Sequence, residues 1–181
     1  MNKRVYLSIF LMAIVFQSCK TWVHICPSNY VPTFENKFSS YSGKTLCFAD
    51  VIHEDPNNDL WTYKSKYYFK TWYEVSTDLP SFFAESFKMS FVYIGINICE
   101  SESLPGMPVM RIILLSLTDM EFKLKVNLVG KGVSFSKIYI VKEPPPKSKE
   151  YLEERAYRMV GKMIENILSD QDFNRAFLQA N

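Results

Sequence analysis

The spacing of apolar residues changes several times along this 181-residue chain, and each change predicts a different element. Positions 44–53 hold Leu46, Cys47, Phe48, Val51 and Ile52 and predict a strand, closed by the polar turn Glu54, Asp55, Pro56, Asn57 and Asn58. Positions 61–75 crowd Trp61, Tyr63, Tyr67, Tyr68, Phe69, Trp72 and Tyr73 between Lys64, Lys66 and Lys70. Aromatic residues suit a pleated surface, so a second strand is predicted over 66–74. Leu79, Phe83, Phe87 and Phe91 then recur every fourth residue, with Glu85 and Lys88 off the stripe, which predicts an amphipathic helix. Asp78 stands where an N-cap belongs, Pro80 is tolerated in a first turn, and Gly95 follows the last periodic residue as a C-cap glycine would.

Positions 96–99 predict a short strand and 101–108, with two prolines and Gly106, a loop. The nearly continuous apolar run over 109–117 suits a central strand covered on both faces. Phe122, Leu124, Val126 and Leu128 then alternate with Glu121, Lys123, Lys125 and Asn127, so one face meets the core and the other water. Gly130, Lys131 and Gly132 make a turn into a partner strand over 133–141. There Val133 and Phe135 follow one phase and Ile138 and Ile140 the other, which predicts a bulge or cover on both faces. Past Pro144, Pro145 and Pro146, Ser148 can cap a helix reaching Leu168, with Leu152, Ala156, Met159, Val160, Met163, Ile164 and Ile167 on one face. Ser169 can cap a final helix through Phe177, in which Phe173 and Phe177 are one turn apart. The expected fold is α+β: a mainly antiparallel sheet, two main amphipathic helices packed on one face, and a short C-terminal helix.

Composition narrows the function. A net charge of +2 lacks the basic field of a nucleic-acid binder, and 48% hydrophobic residues suffice for one core. The N-terminus has the layout of an export signal: Lys3 and Arg4, an apolar run over 5–16 broken only by Ser8, then Gln17, Ser18 and Cys19. The run is too short to favour a permanent span, which needs about 20 residues. With the small Ser18 directly before Cys19, the segment resembles a bacterial lipoprotein signal, in which the cysteine is acylated and becomes the first mature residue. Phe16 and Gln17 replace the aliphatic and small residues of the usual box. A plain secretory signal cut elsewhere is the other reading. The expected organisation is 1–18 signal peptide, 19–43 lipidated cysteine (Cys19) and irregular tether, and 44–181 a single α+β domain. Acyl chains would hold the protein to a membrane, probed most simply by its palmitate content.

Cys26, Cys47 and Cys99 remain in the mature chain. Three pairings are open, and the apolar surroundings of Cys47 and Cys99 favour buried inert thiols over a disulfide. Enzyme motifs fail in turn. Gly43-Lys44-Thr45 ends like a phosphate loop, but Phe38 stands where its first glycine belongs. His24 and His53 have no spacing that assigns a base. Asp50, His53, Glu54 and Asp55 lack a second ligand cluster, and Ser134 and Lys137 lack the companions of a serine–lysine site. No catalytic residue, cofactor or metal is therefore expected. The aromatic and basic stretch 61–73 is the main candidate for contact with lipid, glycan or protein, weighed against an ordinary strand with lysines outward.

The order of lipid cysteine, strand, helix opening Asp78-Leu79-Pro80, long hairpin over 109–141 and closing helix over 151–168 resembles auxiliary lipoproteins of envelope transport. These include accessory lipoproteins of ABC-type lipid transporters and lipopolysaccharide-assembly lipoproteins. The resemblance implies a non-enzymatic, lipid-anchored protein of the cell envelope, facing the periplasm from the outer membrane and working through an envelope protein partner. The alternative is a periplasmic carrier or sensor with a lipid or other small apolar ligand.

Overall fold

A computed structural model describes residues 21–34, 36–54, 61–64, 70–75, 78–99, 106–118, 120–144 and 152–181. The strands are β1 (Thr21–Ile25), β2 (Thr45–His53), β3 (Trp61–Lys64), β4 (Lys70–Val75), β5 (Asn97–Cys99), β6 (Val109–Leu117), β7 (Glu121–Gly130) and β8 (Val133–Lys142). The helices are α1 (Leu79–Tyr93), α2 (Leu152–Ser169) and α3 (Gln171–Ala180). A five-stranded sheet runs β5-β2-β6-β7-β8 and a three-stranded one β1-β4-β3.

The fold is α+β, and the main sheet is mixed rather than mainly antiparallel. β2 pairs in parallel with both β5 and β6, and only the β6-β7 and β7-β8 pairs are antiparallel. Parallel neighbours need a crossover, and α1, between β2 and β5 in the chain, packs on the sheet between them. All three helices lie on one face. Phe48 meets Phe87 and Phe91 of α1 at ring-centroid distances of 6.5 and 6.2 Å, Phe83 meets Phe122 at 4.9 Å, and Phe135 meets Phe173 of α3 at 5.6 Å. The expected face of α2, from Ala156 through Ile167, is buried throughout. Each large apolar side chain so covered contributes about 1.5–3 kcal/mol.

Local signals place α1 as its sequence predicts. The Asp78 carboxylate accepts from the Ser81 backbone N–H at 2.8 Å, and that bond holds its pKa below the usual carboxylate value. Gly95 takes φ 87° at the other end, where a Cβ would stand 2.7 Å from Ser42 Oγ. Ser86 and Ser90 are buried in the same face. Their hydroxyls donate to the Phe82 and Ser86 carbonyls at 2.8 Å each, so the small polar side chains are satisfied within the helix.

Several expectations are corrected. Segment 21–42 is not an irregular lead-in: it forms β1, and Tyr30, Phe38 and Tyr41 enter the core. β8 has no bulge, since its register with β7 runs unbroken from Gly130 opposite Val133 to Glu121 opposite Lys142. Bulges lie instead in β2, between Phe48 and Val51, and in β6, between Leu114 and Ser116. The first lets Phe48 and Val51, three apart, both face the helices. Asp170, not Ser169, caps α3: its carboxylate accepts from the Asp172 N–H, while Ser169 is the last residue of α2. The strand expected over 66–74 meets β4 over Lys70–Val75, with 66–69 outside the described residues, and β3 precedes it. Asp55, the rest of its turn and Ser148 lie outside the described residues.

Cys47 and Cys99 form a disulfide rather than two inert thiols. They are direct register partners on β2 and β5, with Cα atoms 4.5 Å apart, a separation within the range a disulfide spans. Cys26 stays outside the bridge, its thiol 3.0 Å from Ser28 Oγ.

Candidate functional site

The strict alternation of β7 sends Phe122, Leu124, Val126 and Leu128 under the helices and leaves Glu121, Lys123, Lys125 and Asn127 on the opposite face. Register then selects their neighbours. Ile52, Ile113, Lys125 and Ile138 form one row across β2, β6, β7 and β8, and Ile140 stands opposite Lys123 in the next. Ile52, Ile138 and Ile140 are 44%, 49% and 47% exposed, so the odd phase of β8 reflects apolar residues left facing solvent. Val129, also exposed, continues the face beside Ser134.

Half-exposed isoleucines on adjoining rows resemble the centre of a contact patch more than scattered surface residues. Lys123 and Lys125 are partly buried among them. A lysine so placed lays its methylene stem on apolar neighbours and keeps its ammonium at the rim. Such a face can bury a partner's apolar surface while pairing with its carboxylates.

The sequence-derived candidates disperse. His24 is exposed on β1, Asp50 is exposed in the β2 bulge, His53 ends β2, and Glu54 is exposed beyond it. No group of three His, Cys, Asp or Glu residues able to hold a metal occurs among the described residues. Ser134 and Lys137 lie on opposite faces of β8, because three residues along a strand reverse the side. Lys137 instead pairs with Asp170 at 2.6 Å. Gly43 gives its N–H to the Gly95 carbonyl at 2.8 Å, so that donor is already committed within the fold rather than offered to a phosphate. Cys19 lies outside the described residues, as do Lys66, Tyr67, Tyr68 and Phe69. No described helix is long and apolar enough to cross a membrane.

Two polar clusters escaped sequence reading. Asp170 Oδ2 accepts from Tyr139 at 2.7 Å and from Lys137. Burial works against the Asp170 carboxylate, but hydrogen bonds from Lys137, Tyr139 and the Asp172 N–H outweigh it and hold its pKa below the usual range. Burial also pushes the Tyr139 phenol upward, reinforced by its bond to Asp170. The second cluster centres on Glu143, buried just past β8. Lys162 hydrogen-bonds it, Arg158 and Arg155 stand 3.6 and 4.0 Å away, and Arg155, itself 1% exposed, also donates to the Pro144 carbonyl. The spacing of Arg155, Arg158 and Lys162 along one side of α2 was its readable signal. The first fastens the start of α3 to the middle of β8, the second fastens α2 to the residue just past its end.

Two surface clefts accompany them. One of about 440 Å³ lies between segment 29–34 and α2, lined by Tyr30, Phe34, Tyr157, Arg158, Lys162 and Glu165. One of about 500 Å³ lies at the α2–α3 junction, lined by Leu168, Asn174, Arg175 and Leu178. Tyr157, whose hydroxyl is 3.0 Å from the Cys26 N–H that donates to it, has its pKa raised to about 12 by burial.

No family model matches the chain, and no curated protein matches it. Among solved structures, the chain resembles the crystal structure of protein XCC0632 from Xanthomonas campestris, family-model DUF330, at 10% identity and a TM-score of 0.57. The match covers 88% of this chain and 98% of that one. A second structure, described only as an uncharacterized protein, matches at 9% identity and a TM-score of 0.48, over 88% of this chain and 99% of that one. At such identity the first likeness is one of fold, shared with a DUF330 structure over almost its whole length.

Proposed function

We propose that this protein is a lipid-anchored, non-enzymatic accessory of bacterial envelope transport or assembly, held by an acyl group on Cys19 and acting through protein–protein contact. Its place is the outer membrane, facing the periplasm. The observation that carries this reading is the sheet face opposite the helices, where Ile52, Ile138 and Ile140 are half-exposed around Lys123 and Lys125. The Cys47–Cys99 disulfide supports export, since such bridges persist in oxidising compartments and are rare in the cytosol. Contact is preferred over carriage of an apolar ligand because Phe83, Phe87, Phe122, Met159 and Met163 fill the space between sheet and helices.

The test is in-cell photo-crosslinking from positions 138 and 140 of the full chain, with Gln171 on α3 as the control position. The expected result is an adduct identified by mass as an envelope transport or assembly component, formed from 138 and 140 and absent from 171. Adducts from 171 alone, or none from the sheet face, overturn the contact reading. Metabolic fatty-acid label that persists in Cys19→Ala overturns the anchor.

A further inference from the structure

We propose that β8 is a dimerisation edge, along which two copies of this chain pair antiparallel about a two-fold axis at Ile138 and join their main sheets into one. The inference goes beyond the contact reading above and does not depend on what Cys19 carries.

The main sheet ends differently at its two edges. β5 is three residues long and bridged to its neighbour by Cys47–Cys99, a short edge that offers little template for a further strand. β8, at the other edge, runs ten residues without a proline and keeps unbroken register with β7. Among the described residues no strand lies beyond it. The turn assigns its backbone groups. Gly130 stands opposite Val133 across Lys131 and Gly132, both at positive φ, so Gly130 and Val133 exchange hydrogen bonds and every second residue from Val133 bonds to β7. The Glu143 N–H, which donates to the Met120 carbonyl at 2.9 Å, continues that phase. The N–H and C=O groups of Ser134, Ser136, Ile138, Ile140 and Lys142 therefore point outward along the edge.

The spacing of these positions selects a second copy as the occupant. They are symmetric about Ile138, so an antiparallel β8 pairs all of them when Ile138 meets its own copy, with Ser136 opposite Ile140 and Ser134 opposite Lys142. An axis at Lys137 would oppose two lysines, and an axis at Tyr139 would leave Ser134 unmatched. In the Ile138 register no like charges are opposed: on the helix side Lys137, already paired with Asp170 at 2.6 Å, meets the second copy's Tyr139. Half-exposed Ile138 and Ile140 then form an apolar centre, and the exposed Ser134 and Lys142 a polar rim, which is the anatomy of a protein interface. On the face opposite the helices the isoleucines of both copies lie side by side and double the apolar patch.

The test uses the full chain purified in detergent, its protein mass measured by light scattering and its amide exchange followed across concentration. A dimer at about 100 μM that dissociates on dilution is expected, with exchange at Ser136 and Ile138 slowing as it forms. Ile138→Glu and Ile138→Lys each set a charge against its own copy and should weaken the dimer at least about tenfold, while an equimolar mixture of the two should recover it as a heterodimer. Ile138→Pro, which removes one outward N–H and no bond to β7, should also give a folded monomer. A chain that is monomeric at every concentration overturns the inference: an Ile138 amide that is protected even so assigns the edge to another segment of this chain, and an unprotected one leaves it to a different protein. A dimer indifferent to these variants, or one that the mixture does not recover, overturns the axis at Ile138.

Discussion

Asp170 shows how one side chain sets a boundary and fastens it. Its Oδ1 accepts from the Asp172 N–H at 2.9 Å, capping α3, while Oδ2 takes hydrogen bonds from Tyr139 and Lys137 on β8. Asparagine caps a helix about as well, so Asp170→Asn isolates the charge rather than the cap. Replacement should cost about 1–2 kcal/mol at neutral pH, the worth of a charge-assisted bond made in partial burial. The folded carboxyl titrates below its unfolded value of about 3.9, so the folded chain binds fewer protons between those two values. The stabilisation is complete above the unfolded value and disappears as pH falls through the folded one. Urea unfolding of both proteins across acidic pH checks this. The difference should close toward zero at the acid end, and a constant gap would mean that Asp170 acts through packing instead.

At the scale of elements, the weakest piece of the main sheet is β5, three residues long and at its edge. It is secured to β2 by Cys47–Cys99, which links residues 52 apart in the chain. Closing a loop of that size restricts the unfolded chain, and losing the bridge should lower stability by about 2–4 kcal/mol. Cys47→Ala with Cys99→Ala, or reductant on the native chain, should lower the urea midpoint and speed amide exchange at Asn97 and Ile98 before the β6–β7 hairpin. An unchanged midpoint after complete reduction would contradict the assignment. This bridge also marks where sequence reading stops. Periodicity states which face a residue takes, so α1, α2 and the β7–β8 turn, with Lys131 at φ 42° and Gly132 at φ 78°, were legible. It is silent on which strands become neighbours and in which direction. Hence the parallel pairs, and with them the meeting of Cys47 and Cys99, were not. The proposed contact face was legible in part: Ile138 and Ile140 stand out of phase in the sequence, and only the unbroken β7–β8 register turns that anomaly into exposure. β1 was hidden by brevity, five residues followed by Cys26, Pro27 and Ser28.

For the molecule as a whole, the N-terminal segment is held to the helical layer largely by neutral phenols. Tyr30 shares a hydrogen bond with Ser90 of α1 at 3.1 Å, the Tyr41 hydroxyl donates to the Leu168 carbonyl at 2.8 Å, and the Cys26 N–H donates to Tyr157 of α2. Burial pushes each of these three tyrosines up to about 12, against about 10 in the unfolded chain. A raised pKa means that the folded chain keeps protons which the unfolded chain releases, so stability is complete below the unfolded value and is lost as pH climbs toward the folded one. Near-ultraviolet absorbance should therefore divide the chain's 11 tyrosines into a group that ionises reversibly near pH 10 and a group that ionises only with cooperative loss of tertiary structure. Tyr41→Phe keeps the ring against Phe173 and Phe177 but leaves the Leu168 carbonyl without its donor. It should be less stable by about 1 kcal/mol at neutral pH, with that deficit shrinking above pH 10 as the native phenol becomes the liability. Smooth ionisation of every tyrosine near pH 10 with the fold intact would show that the segment is not fastened this way. Because the same segment carries β1, its release at alkaline pH should also free the small sheet from the domain while any acyl group keeps the chain on the membrane.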